Sequence, residues 1–375
     1  MTSVMPSSPG PDLGPTVPRA SRTPRTPNRE GVRRSRLRRL RVPALLLVLF
    51  MIPVGWSYGG YLTAAGHDPV SVRSVDWLRD HGFDSAVNHV EQWWYTRHRP
   101  TGSAPATADL PSEGARTPGV WHDVAGLDVP GAFVQQSYVL PDPRFPSVAV
   151  ALVRLDQHAV KTVYVPGLKE PGGSFNWGGE VPTAQRPELI AAFNAGFRMR
   201  HITGGAWTEG RVAGHPLENG QASAVIYRDG HTVIGQWGRD VSMTSDVVSV
   251  RQNLDLIVDG GLPVPGLVTD HANRWGTTHS QLQYTWRSGL GIDSHGRLIY
   301  AAGREMSLTQ LAQALSDAGA ERAMQLDIHD NVVTYNWFRR QGSTVTGSRL
   351  MTSMTRSADR FLAPDSRDFF AIEAR

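Results

Sequence analysis

The stretch Met306–Asn331 (MSLTQLAQALSDAGAERAMQLDIHDN) constrains the fold more than any other. It encodes a helix that docks a strand, with polar groups massed where the strand ends. Ser307 and Gln310, three residues apart, form a capping-box pair in which each side chain satisfies an unpaired N–H of the first turn. Leu308, Leu311, Ala312 and Leu315 follow at helical spacing and make one apolar stripe. Gly319 stands where the helix must end in a left-handed conformation, which a residue without Cβ takes free of strain. The apolar run Ala323–Leu326 has strand character and delivers Asp327, His329, Asp330 and Asn331 at its carboxyl end. Ionisable groups presented by a rigid helix–strand unit suit a functional site. A polar turn after a buried strand is the plainer alternative.

The remainder from Val120 is mostly of β type. Ala132–Leu140, Val148–Leu155 and Val163–Val165 are strand-like, the second apolar enough for a central position. A long loop with Phe175, Asn176 and Trp177 follows, and then Pro187–Ala192 leads into Phe193-Asn194-Ala195-Gly196-Phe197. Asp229-Gly230 joins Ala224–Tyr227 to Thr232–Trp237, and Ser294-His295-Gly296 joins Leu290–Asp293 to Arg297–Ala301; both are hairpin signals. Leu254–Val258 runs into Asp259-Gly260-Gly261, and Asp368–Glu373 closes the chain as a final strand. Several hairpins with one clear helix predict an α+β body, residues 119–375, with a mixed, largely antiparallel sheet.

Upstream, the composition changes twice. Residues 1–41 hold ten arginines against Asp12 and Glu30, a balance of +8, so the rest of a chain of net charge +4 carries −4. The body is therefore mildly acidic, and a nucleic-acid partner is disfavoured. The Pro-, Ser- and Arg-rich tail is expected to be disordered. Arg33–Arg41 then abuts Val42–Ala65, which has 24 residues without a charge. Roughly 20 apolar residues span a bilayer, so an uncleaved membrane anchor is expected, with a cleaved signal peptide as its rival. The arginines stay on the cytoplasmic side, leaving the body outside the cell membrane. Residues 66–99 read as a juxtamembrane helical pair broken at Gly82, in which Trp93 and Trp94 lie on the membrane surface or on the body. Pro100–Pro118 reads as a linker. There is no cysteine, which excludes a disulfide framework and a thiolate metal site.

Four turns set small residues beside polar ones: Asn194-Ala195-Gly196-Phe197, Asp259-Gly260-Gly261, Arg287-Ser288-Gly289, and Asp327 through Asn331. Gly exposes backbone N–H groups, so such turns suit an anion or a sugar; each alone is also an ordinary turn. In this order and spacing the chain resembles the phosphodiester glycosidase family, which includes the lysosomal uncovering enzyme of mannose 6-phosphate tagging. Asn194-Ala195-Gly196-Phe197 is similar to the family's Asn-Gly-Gly-Phe-Phe motif. Arg287-Ser288-Gly289-Leu290-Gly291-Ile292 is similar to its Arg-Thr-Ala-Ile-Gly-Ile strand. Leu326-Asp327 opens its Leu-Asp-Gly-Gly-Gly-Ser motif, and the motifs lie within about residues 188–335. The chain departs from the family at Ile328-His329-Asp330-Asn331, where glycines and a serine are expected. Either His329 or Asp330 takes a new role there, or catalysis is lost.

The resemblance implies a hydrolase for sugar-1-phosphodiesters, with Asp327, Arg287 and Asn194 as catalytic candidates. Arg287 offers a planar fork of donors for phosphate oxygens. Asp327 suits a base for water or a stabiliser of an oxocarbenium-like transition state. Asn194 suits a sugar hydroxyl or a phosphate oxygen. Gly196, Phe197, Gly291, Asp293, His329 and Asp330 are the substrate-binding candidates. Against these stand plainer roles: Arg287 pairing with a carboxylate such as Asp293, and Asp327 capping a turn. No cofactor or metal is expected. A hard divalent cation is the ion that Asp327, His329 and Asp330 would suit, although strand alternation puts Asp330 on the opposite side. We expect a membrane-anchored hydrolase acting on envelope glycans, with a non-catalytic glycan-binding or scaffold protein as the rival.

Overall fold

The computed structural model describes residues 45–46, 49–64, 66, 69–97, 100–112, 117–129, 133–269, 274–276, 281 and 283–375. Chain contacts divide the protein into two units, Met1–Ser57 and Tyr58–Arg375. In the first, the described residues 45–46 and 49–57 are helical. No helix among the described residues is long and apolar enough to cross a membrane. Residues 42–44, 47–48 and 65 of the expected anchor, and all of the basic tail, lie outside the described residues.

In the second unit a short helical stretch at residues 58–62 is followed by a helical pair, α1 (Val70–Asp80) and α2 (Asp84–Arg97), broken where expected by Gly82 at φ +86°. Trp93 and Trp94 are each about half exposed, at 53% and 52%. Residues 100–112 run along the body rather than free of it. Thr101 N–H donates to Ser147 Oγ at 2.9 Å, and Ser112 N–H to the Leu350 carbonyl at 2.7 Å. A stretch with few bulky apolar groups can still be docked through its backbone donors.

Three sheets follow, and every pairing between their strands is antiparallel. The largest has eight strands, in the order β1 (His122–Asp123), β2 (Val134–Val139), β3 (Val150–Leu155), β14 (Leu298–Met306), β13 (Thr285–Asp293), β15 (Ala320–Ile328), β11 (Leu256–Asp259) and β12 (Leu262–Pro263). A five-stranded sheet runs β7 (Arg211–Ala213), β6 (Ala206–Thr208), β10 (Val247–Gln252), β8 (Ala222–Tyr227), β9 (Thr232–Gln236). The other five-stranded sheet runs β17 (Thr344–Arg349), β16 (Tyr335–Gln341), β5 (Leu189–Asn194), β18 (Phe369–Ala374), β4 (Val160–Val165).

Alternation along the strands assigns the two faces of the large sheet. On β14, Leu298, Tyr300 and Ala302 enter a core shared with Phe193, Tyr335 and Phe370 of one small sheet and with Ala224 and Ile234 of the other. Ile299 and Ala301 point the opposite way, toward helix α3 (Leu308–Asp317). The capping box forms as the sequence dictates. Ser307 Oγ accepts the Gln310 N–H, and Gln310 Oε1 accepts the Ser307 N–H at 2.9 Å. Gly319 has φ +91°. Leu308, Leu311 and Leu315 are fully buried. Each is worth about 1.5–3 kcal/mol, so the stripe outweighs the cap, worth about 1 kcal/mol, in holding α3. The close docking also explains a glycine on β13: a Cβ on Gly289 would lie 2.8 Å from Leu315 Cδ1 and 3.1 Å from the Met324 carbonyl oxygen.

Candidate functional site

The strand expected at 323–326 extends over the whole of β15, and its last residues do not keep simple alternation. Arg287 pairs with Ile328 and Gly289 with Gln325, so β15 spends one residue more than β13 across this interval. Such a bulge re-aims side chains next to sites. Gln325 points to Arg287, Leu326 enters the central core, and Asp327 turns into a cleft of about 800 Å³.

Asp327 is 5% exposed and both its carboxylate oxygens are engaged. Oδ2 forms an ion pair with Arg367, and Oδ1 accepts the Ile328 N–H at 2.8 Å. Arg367 precedes β18 and also donates to the Gly196 carbonyl at 3.2 Å. Burial acts to lower the pKa of its guanidinium, and the charges of Asp327, Glu170, Asp368 and Asp76 more than reverse that. The segment carrying it is held in turn by buried ion pairs: Asp365 with Arg360 at 2.6 Å, and Asp368 with Arg251 at 2.6 Å.

The other expected catalytic residues sit behind Asp327 rather than beside it. Asn194 is 1% exposed; its Nδ2 donates to Ser288 Oγ at 3.0 Å, and that hydroxyl donates to the Asp327 carbonyl at 2.9 Å. Its Oδ1 accepts the Thr334 N–H at 3.1 Å. Arg287 is fully buried on the α3 side of the sheet. It donates to the carbonyls of Met306 and Gln283, each at 3.0 Å, and to Gln325 Oε1 at 3.0 Å. Burial pulls its pKa down to about 9, which leaves it charged at neutral pH. Neither residue lines the cleft; both hold elements that do.

Phe197 lines the cleft, with its N–H turned away to Asn253 Oδ1 at 3.2 Å. Gly196 is buried, and a Cβ there would meet the Asn253 side chain at 3.1 Å. Gly291 lies in mid-sheet, where a Cβ would come within 2.9 Å of Ala320 Cβ. Asp293 ends β13, six residues and so roughly 20 Å from Arg287. It accepts the His295 and Arg297 N–H groups at 2.9 Å and pairs with Arg297 at 2.7 Å. Those two belong to packing and to a hairpin, not to the cleft.

At the departure from the family pattern, His329 has φ +81°. A side chain thus occupies the left-handed conformation that the expected glycine would take freely. His329 lines the cleft, with Nδ1 3.3 Å from Thr285 Oγ1 and Nε2 3.7 Å from Glu91. Burial pulls its pKa below the ordinary value, against the opposing charge of Glu91. Asp330 is exposed and lines a neighbouring cleft instead. Among the described residues no group of three metal-ligating side chains converges.

Sequence reasoning missed the cations and the opposite wall. Arg198 directly follows the Asn194–Phe197 turn and Arg200 is two residues on, so a guanidinium beside that motif was a signal to be had. Arg367 had none beyond the charged run Asp365–Asp368. The wall comes from α1 and α2. Asp76 forms an ion pair with Arg198, Asp80 accepts from Arg198 at 2.9 Å, and Asp84 accepts from Arg200 at 3.1 Å. Arg79 reaches both Glu91 oxygens at 2.8 Å.

Residues 188–327, from the start of β5 to Asp327, match the phosphodiester glycosidase family model. The chain thus carries a phosphodiester glycosidase-like segment, within which Asn194, Arg287 and Asp327 all fall. No curated protein matches. Among solved structures, the catalytic domain of zebrafish N-acetylglucosamine-1-phosphodiester alpha-N-acetylglucosaminidase, auto-inhibited by its propeptide, is 17% identical, with a TM-score of 0.41 over 70% of this chain and 87% of that one. A hypothetical protein from Synechocystis is 13% identical, with a TM-score of 0.34 over 68% of this chain and 61% of that one.

Proposed function

We propose that the protein is a membrane-anchored hydrolase that cleaves sugar-1-phosphodiester linkages of cell-envelope glycans, with Val42–Ala65 as its anchor and its body outside the cell membrane. The observation that carries this is the Asp327–Arg367 pair at the cleft, Asp327 being the last residue of the segment that matches the family, with Arg198 of the same segment at the same cleft. In the reaction, water oxygen bonds to the anomeric carbon, the bond from that carbon to phosphate oxygen breaks, the phosphate monoester leaves with the electron pair, and the proton lost by the water passes to that phosphate or to solvent. That leaving group needs little protonation, but its charge must be held. Arg198 and Arg200 are the groups for this, and phosphate displaces the carboxylates of α1 and α2 from them. Asp327, with both oxygens already accepting, serves better to stabilise positive charge on the sugar than to take a proton from water. Arg287 and Asn194 act as positioning residues, the first through Gln283 and the second through Ser288.

One observation favours the rival, a non-catalytic glycan-binding or scaffold protein on the same fold: of Asn194, Arg287 and Asp327, only Asp327 lines the cleft. Hydrolysis decides between them. The full chain, assayed on a panel of chromogenic sugar-1-phosphodiesters, is expected to release product. Asp327→Asn should cost at least a hundredfold in kcat, and Arg198→Gln should act mainly on KM. A panel left uncleaved, or variants as active as the parent, would remove the enzymatic reading.

A further inference from the structure

A second cleft of about 450 Å³ adjoins the first. Glu91 lines both, and Thr285, in the second, contacts His329, in the first, at 3.3 Å. Its walls are aromatic. Trp94 comes from α2, Tyr284 directly precedes β13, and Trp286 of β13, 8% exposed, shows the cleft the rim of a ring otherwise in the core. Val90, one helical turn before Trp94, extends that wall and is 66% exposed. The polar lining is acidic, with Glu91, Glu305 and Asp330 against the one guanidinium of Arg304, which is itself paired with Glu305 at 2.7 Å.

Two features set this cleft apart from an ordinary surface dent. Glu305 holds φ +53°, a conformation that L side chains rarely adopt and that is strained. His329, bonded to the cleft's Thr285, is left-handed as well. Strained residues of this kind cluster where a ligand is held. Flat aromatic faces with a few hydrogen-bonding groups in a concavity are the chemistry of ligand sites. The aromatic faces match the C–H faces of a pyranose, and the carboxylates accept its hydroxyl donors. Glu91 is paired with Arg79 and Glu305 with Arg304, so among the described residues the cleft offers phosphate no uncommitted guanidinium, and the charge of the exposed Asp330 repels it.

We propose that this cleft is a sugar subsite. It takes a neutral sugar ring of the same substrate, adjacent to the ring whose phosphodiester lies at Asp327, so the preferred substrate carries at least two sugars. The substrate part of this inference rests on the hydrolase reading above; the binding part does not.

The test has two arms, both on the full chain. In the first, neutral chito- and malto-oligosaccharides of one to six units are titrated with tryptophan fluorescence as the readout. At least one series is expected to bind, with Kd tenfold or more weaker in Trp94→Ala and restored by Trp94→Phe. Trp94 is half exposed, so its loss does not threaten the fold. In the second, disaccharide and monosaccharide 1-phosphodiesters are compared. Trp94→Ala should raise KM for the disaccharide at least tenfold and leave the monosaccharide KM and both kcat values unchanged. Hydrolysis that fails on every substrate while oligosaccharides bind through Trp94 defeats the hydrolase reading and upholds the subsite. Oligosaccharides that do not bind, or that bind Trp94→Ala as tightly as the parent, overturn the subsite whatever the enzyme does.

Discussion

Replacing Arg367 by methionine keeps most of the side chain's packing and removes its charge. Asp327, 5% exposed, then retains one described side-chain hydrogen bond, from the Ile328 N–H at 2.8 Å. Breaking a buried pair by deleting one partner costs about 3–5 kcal/mol, because the other is left as an uncompensated buried charge. At about 2–4 °C per kcal/mol for a large domain, Tm should fall by roughly 6–20 °C. The informative variant is the double one. Asp327→Asn removes the stranded charge and still accepts from Ile328 through its amide oxygen. Asp327→Asn/Arg367→Met should therefore be more stable than Arg367→Met alone, by about 1–3 kcal/mol, with coupling far above the ~0.5 kcal/mol expected of independent sites. Urea unfolding followed by tryptophan fluorescence measures all four corners of the cycle. A double variant no more stable than Arg367→Met would refute the reasoning, since Asp327 would then not depend on Arg367.

The left-handed His329 can be tested by pairing two substitutions. His329→Ala loses the imidazole but keeps a Cβ at φ +81°, whereas His329→Gly loses both. The left-handed penalty of about 1–2 kcal/mol, less the extra chain entropy of glycine of about 0.5–1 kcal/mol, should make the Gly variant the more stable by roughly 0.5–1 kcal/mol; equal midpoints in urea would count against strain. Docking of α1 should depend on acid. Burial alone would raise the Asp80 pKa, but hydrogen bonds from Tyr61 and Lys169 and the Arg198 charge outweigh it and hold the value at about 2. The unfolded carboxyl, near 3.9, takes up its proton first as pH falls. The contribution is therefore full above about pH 4 and is lost as pH falls through about 2. Amide exchange in α1 should accelerate in that window and not in Asp80→Asn; an onset near pH 6 would assign the loss to another group.

Local signals carried much of the architecture. The capping box, the leucine stripe of α3, the hairpins at Asp229-Gly230 and Ser294-His295-Gly296 and the break at Gly82 each rest on residues within a few positions of one another. Each appears where the sequence puts it. Asp327 was also legible, because a strand end following a capped helix is a local pattern. Of its neighbours in the cleft, Phe197 and His329 were legible as candidates too, whereas Arg198, Arg200, Arg367 and the carboxylates of α1 and α2 were not.

The aim of Asp327 depends on a bulge that exists only once β13 and β15 are paired, and no property of Leu326-Asp327 by itself announces it. Arg287 looked like a phosphate fork, since the residue type is suited to one. Burial against Met306, Gln283 and Gln325 turned its donors to carbonyl and amide oxygens instead. The cation that does meet Asp327 comes from 40 residues further along, and the opposing carboxylates come from helices more than 200 residues before it. Sequence by itself thus determined the elements, the turns and the place of Asp327 at the end of its strand, because those are set by interactions spanning one or two turns of chain. Which charges face each other across the cleft was decided by tertiary structure alone, because a buried charge takes its partner from whatever the packing of distant elements brings within a few ångströms.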